Sequence, residues 1–174
     1  MNSKAWRNSL IRFVVIWLFQ AFLFKQVSWG PGEEDILFVF VYPVFILMMP
    51  LGAFEPLVII GGFLMGVAVD AAYDTLGLHA AAATATAFLR PRILGWMQPP
   101  KGYGPKTSPV PRDLGWSWFA SCLLLVLVFN LFAFFLVQTF APQFIGRILL
   151  KTTLSIIPSF LFIILGVVIL NPRA

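Results

Sequence analysis

Charge is scarce in this chain. Of its 174 residues only 11% are Asp, Glu, Lys or Arg, against 60% apolar, and a soluble domain cannot cover its surface with so little polarity. Cysteine is nearly absent. Cys122 stands alone in an apolar run, which excludes an internal disulfide and a thiolate metal cluster and leaves the reading of a small buried hydrophobe. Histidine is also single, at His79, and no nucleophile with a base, phosphate loop, metal-ligand cluster or spaced acid pair accompanies it. The expectation is therefore a non-enzyme with no cofactor and no metal. Acids number 7 against 12 Lys and Arg. All the basic residues except Lys25, Arg147 and Lys151 fall where the inner face of a membrane takes positive charge, so the excess reports topology rather than nucleic acid.

What is present is apolar sequence in long runs. At about 20 residues per span, the length allows roughly five or six helices in one transmembrane domain, 1–174. The expected helices are 8–24, 36–49, 57–73, 77–94, 118–140 and 146–170, an all-α integral membrane protein of six helices. The basic residues Lys4, Arg7 and Arg12 precede the first run, and no small-x-small site follows it, so it reads as a retained helix with its N-terminus in the cytoplasm. Gly30-Pro31-Gly32 breaks the chain before the acids Glu33, Glu34 and Asp35, which suit a solvated loop or a helix start, with cation binding as the alternative. Pro43 is expected to kink the second helix. Between 96 and 116 prolines and glycines interleave with Lys101, Lys106 and Arg112, which reads as an irregular cytoplasmic linker, a tether or a weak docking point for anionic lipid. Trp96, Trp116 and Trp118 suit the interface belt beside it. Arg173 places the C-terminus on the same side.

The chemistry-bearing residues gather between 61 and 92. Gly62, Gly66, Asp70 and Asp74 recur every four residues and share one helix face, whose glycines admit a close neighbour. A turn containing Gly77 follows, then His79 and the small run from Ala80 to Ala87. Two thin helices should form a tight hairpin, which crosses the membrane fully or dips in as a re-entrant pair. Asp74 or Thr75 is expected to cap the fourth helix. Asp70 lies a turn deeper and calls for a partner, for which His79 and Lys151 are the candidates. A structural pair is the reading taken, with a proton or ion relay as the alternative. Asn130 near the middle of the fifth helix needs a hydrogen-bond partner on another helix, and Lys151, Ser155 and Ser159 form a polar stripe on the sixth.

The order glycine, Asp70, short turn, Gly77-Leu78-His79-Ala80, then an alanine-rich helix closing on Phe88-Leu89-Arg90-Pro91 resembles the rod shape-determining MreD family, in particular its Bacteroidetes-type members. Arg12-Phe13 followed by Gln20 is similar to that family's opening, although Lys25-Gln26 stands where the family often has asparagine. The resemblance implies a small component of the rod complex, or elongasome, in the bacterial inner membrane, supporting side-wall peptidoglycan synthesis and cell shape. Its implied partners are MreC and, less directly, MreB, RodA and a class B penicillin-binding transpeptidase. It also implies a bundle resembling the S components of energy-coupling-factor vitamin transporters, although a shared fold is not a shared function. A transporter S component is thus one alternative function. Its usual Ala-x-x-x-Ala docking surface is absent from the bulky first helix FVVIWLFQAFLF. A proton-coupled channel using Asp70 and His79 is the other alternative.

Overall fold

The computed structural model describes residues 3–25, 27–29, 35–104 and 107–170. The expected breaker at Gly30-Pro31-Gly32, the acids Glu33 and Glu34, Lys106 and Arg173 lie outside the described residues. The fold is all-α apart from two two-residue strands. Helix α1 (Ser3–Leu18) continues without a break into a π-helical segment, Phe19–Phe24. Then come β1 (Ser28–Trp29) and β2 (Leu37–Phe38), paired antiparallel with Ser28 opposite Phe38 and Trp29 opposite Leu37. The remaining helices are α2 (Pro43–Met48), α3 (Glu55–Tyr73), α4 (Leu78–Trp96), α5 (Pro111–Leu114), α6 (Trp116–Thr139) and α7 (Ile145–Leu170).

Four helical stretches are long and apolar enough to cross a membrane: Trp6–Phe24, Glu55–Tyr73, Trp116–Thr139 and Ile145–Leu170. This is a membrane protein. The outward faces agree, since Leu10, Val14 and Phe22 on α1 and Leu150, Leu154, Ile157, Leu161 and Leu165 on α7 are exposed, surfaces that lipid covers without penalty. Helix α4 is as long as α3 but richer in alanine and threonine, and it turns His79, Ala83, Thr86, Ala87 and Arg90 inward. Helix α6 buries Phe119, Cys122, Leu123, Val126, Asn130 and Phe134, a spacing of three and four residues that places one face in the core.

The hairpin of α3 and α4 is tight because its residues are small. A Cβ on Gly62 would stand 2.9 Å from Ala87 Cβ and 3.1 Å from Ala83 O, and one on Gly66 only 2.6 Å from both Ala80 N and His79 O. The second of these is contact with backbone, which cannot step aside as a side chain can.

The predicted helix 36–49 is not a helix over most of its length. From Ile36 to Val41 the chain is extended or irregular, and only Pro43–Met48 is helical. Pro43 therefore starts a helix at its first turn, where its missing N–H costs nothing, rather than kinking one. Extended backbone inside a bilayer must find its hydrogen bonds elsewhere in the protein. Here side chains supply them: Phe38 N donates to Ser155 Oγ (3.0 Å) and Phe40 N to Ser159 Oγ (2.9 Å) on α7. Gln20, the one buried residue of the π-helical segment, accepts from Val41 N (2.7 Å) and Tyr42 N (3.2 Å) and donates to Val39 O (3.1 Å). Ser155 and Ser159 of the polar stripe on α7 thus serve an extended segment rather than another helix.

This segment runs antiparallel to α1. Val39 and Val41 lie beside Gln20, whereas Met48 O accepts from Arg12 Nη1 at 3.1 Å, two turns back along the same helix. Roughly six extended residues at about 3.3 Å and six helical ones at about 1.5 Å give on the order of 29 Å, close to the thickness of a hydrocarbon core. The linker is also more ordered than its composition suggests. Val110 and Pro111 are buried, Tyr103 Oη donates to Leu94 O (2.8 Å), and Trp118 Nε1 donates to Met97 O (2.8 Å).

Candidate functional site

At one end of the bundle Asp70 closes the α3–α4 hairpin. Its Oδ1 accepts from Thr75 Oγ1 (2.5 Å) and His79 N (3.0 Å), and its Oδ2 from Ala80 N (2.8 Å). Asp70 is the cap of α4, donated by the preceding helix, and the negative charge lies against the positive end of the α4 dipole. Both oxygens of the carboxylate are thereby engaged within the hairpin. The expected cap, Asp74, does something else. It ends α3 in the left-handed region (φ 56°), with its own N–H and that of Thr75 both directed to Asp70 O. Its exposed carboxylate pairs with Lys25 Nζ at 3.4 Å. Gly77, at φ 81°, supplies the second left-handed residue of the turn.

Neither expected side-chain partner of Asp70 takes that role. Lys151, half-buried on α7, is not among the donors to its carboxylate. His79 contributes its backbone, while its imidazole is fully buried and neither ring nitrogen has a hydrogen-bond partner among the described residues. The ring is walled by Phe40, Tyr42, Tyr73 and Phe134, with centroids 4.6–5.4 Å away. An imidazole enclosed in this way packs as an aromatic ring.

Asn130 joins three elements. Its Oδ1 accepts from Tyr42 Oη (2.8 Å), and its Nδ2 donates to Thr86 Oγ1 (3.1 Å), whose hydroxyl donates onward to Ala82 O (2.8 Å). The turn before α2 is thereby tied to α4 and α6 at one buried level. Tyr73 adds a further tie, since its hydroxyl accepts from Gln20 Nε2 (2.6 Å).

At the opposite end Arg90 lies 3% exposed on α4. Its Nη2 donates to the carbonyl of Met49 and, at 3.3 and 3.5 Å, to those of Leu47 and Pro50. Together with Arg12 it caps the C-terminus of α2, where the helix dipole favours a cation. Beside Arg90 a cavity of about 610 Å³ opens between α3, α4 and the linker. Tyr103 borders it, and partial burial pushes its phenol pKa up, so the hydroxyl stays a donor.

No family model, curated protein or solved structure matches the chain. Its own geometry is what bears on function. Gly62, Gly66, Asp70, Gly77 and His79 come together at the hairpin with Asp74 in its turn, its carboxylate turned to Lys25; Asn130 forms a separate tie deeper in the bundle, Arg90 belongs to the other end, and Lys151 joins none of these groups. Sequence reasoning passed over Tyr42, Thr86 and the anchoring role of Gln20. Their common signal is a lone polar group in an apolar run, which in a membrane needs a partner.

Proposed function

We propose that this protein is a non-catalytic, multi-pass component of the rod complex in the bacterial inner membrane. It binds an MreC-like partner and supports side-wall peptidoglycan synthesis, with MreB, RodA and a class B penicillin-binding transpeptidase as more distant associates. The observation that carries this reading is the use of Asp70. It spends both carboxylate oxygens on Thr75, His79 and Ala80, the stretch containing the Gly-Leu-His-Ala group on which the resemblance to the MreD family rests. A carboxylate committed to fold-internal donors suits a scaffold better than a proton path. The chain then makes six crossings, in a bundle resembling transporter S components, with the broken segment 36–48 as the second crossing and both termini in the cytoplasm. The Asp70 turn faces outward and the Arg90 end inward.

Affinity purification in mild detergent from native membranes, with mass spectrometry of the co-purifying proteins, tests the proposal. An MreC-like protein and cell-wall synthases are expected. Recovery of ATPase subunits with a coupling protein would replace the proposal with a vitamin-uptake role.

A further inference from the structure

The cavity beside Arg90 has a composition unlike that of a lipid-facing groove. Leu51, Val58, Ile59 and Phe88 give it apolar walls, Arg90, Gln98 and Tyr103 supply polar groups, and the exposed Glu55 is its one acid; its volume falls in the usual range for ligand pockets. Arg90 is the unusual member. Its guanidinium is almost wholly buried, its Nε has no hydrogen-bond partner, and among the described residues no carboxylate lies within ion-pair distance of it. The carbonyls at the end of α2 solvate the charge without neutralising it. A buried cation without a counter-ion is costly, and an anion placed beside it recovers much of that cost.

We propose that this cavity binds the phosphate of a glycerophospholipid headgroup against Arg90, with acyl chains leaving along the apolar wall of α3 and α4. Phosphate fits because it can take a charge-assisted hydrogen bond from a guanidinium whose Nη2 is already held by the α2 carbonyls. A lipid is the source because the cavity lies at an end of a membrane bundle, is lined by the exposed Phe88, and includes Gly95, which the exposed Trp96 directly follows, aromatic surface suited to a headgroup interface. The Tyr103 hydroxyl, although it donates to Leu94 O, stands at the border of the same space. This inference is independent of which protein partner the chain has.

Native mass spectrometry of the full-length protein in detergent tests it, with three probes: phosphatidylglycerol, diacylglycerol of the same chains, and inorganic phosphate. Wild type is expected to bind phosphatidylglycerol at least about tenfold more tightly than diacylglycerol, and to show no binding of inorganic phosphate alone. Arg90→Gln should abolish the preference but also removes a cap from α2, so a second variant is needed. Gly95 lines the cavity, and a Cβ there meets nothing within 4 Å, so Gly95→Leu adds bulk to the lining while leaving the Arg90 side chain in place. It should keep the wild-type melting temperature and lose the preference. Equal binding of the two lipids by wild type, or a preference retained in Gly95→Leu, would overturn the proposal. Inorganic phosphate binding as tightly as phosphatidylglycerol would overturn the lipid as its source.

Discussion

Asp70 and His79 sit nine residues apart and contribute in opposite ways. Removing the Asp70 carboxylate orphans two backbone N–H groups at the start of α4 and the Thr75 hydroxyl. Asp70→Ala should therefore cost on the order of 2–4 kcal/mol of stability in detergent, read from denaturant titration. A loss below about 1 kcal/mol would mean that the cap is dispensable. His79 has the reverse balance, since its two ring nitrogens are buried without partners and an apolar residue of similar size removes a desolvation cost of about 1–3 kcal/mol. His79→Leu should match or exceed wild-type stability and keep partner binding. Loss of partner binding with intact folding would instead assign the imidazole a functional role. The sequence made the glycine face and the turn at Gly77 legible because a four-residue repeat and a left-handed turn are local signals. It did not reveal that Asp70, rather than Asp74, caps α4, because a cap supplied from the preceding helix depends on how the two helices stack.

The same division between local and tertiary signals explains the broken segment 36–48. The run Ile36 to Met49 is apolar throughout, and periodicity cannot distinguish a buried strand from a buried helix in such a run. Its Phe, Val and Tyr content favours a strand, and Pro43 favours a helix start, but the deciding partners, Gln20, Ser155 and Ser159, lie on other elements. Amides of Phe38, Phe40 and Val41 should be strongly protected from hydrogen exchange, unlike free loop amides. Gln20→Leu leaves the N–H groups of Val41 and Tyr42 and the Val39 carbonyl without that partner. It should lower stability by at least about 3 kcal/mol and raise exchange in 39–42 selectively. Unchanged exchange there would refute the anchoring role of Gln20. The long helices α3, α6 and α7 were legible to within about two residues at either end, because their length and apolarity leave no other solution.

For the whole molecule, the two ends differ in what they gather. Lys25, Asp74 and the Asp70 turn mark one end, while Arg12, Arg90 and the linker mark the other. Leu76 is fully exposed at the tip of the hairpin, Gly52 is exposed near the opposite end, and Cys122 is buried. In intact cells an impermeant maleimide should label Leu76→Cys from outside and Gly52→Cys only after the membrane is opened. Labelling of both from one side would refute a full crossing by α3 and α4. The extended segment also bears on how the protein is made. A helix brings its own hydrogen bonds into the bilayer, but Phe38 and Phe40 take theirs from residues 117 and 119 positions later in the chain. During synthesis those two amides lack their Ser155 and Ser159 partners until α7 emerges. With 36–48 crossing the membrane as proposed, its stable insertion is coupled to completion of the chain, and truncation before α7 should leave it exposed to proteolysis.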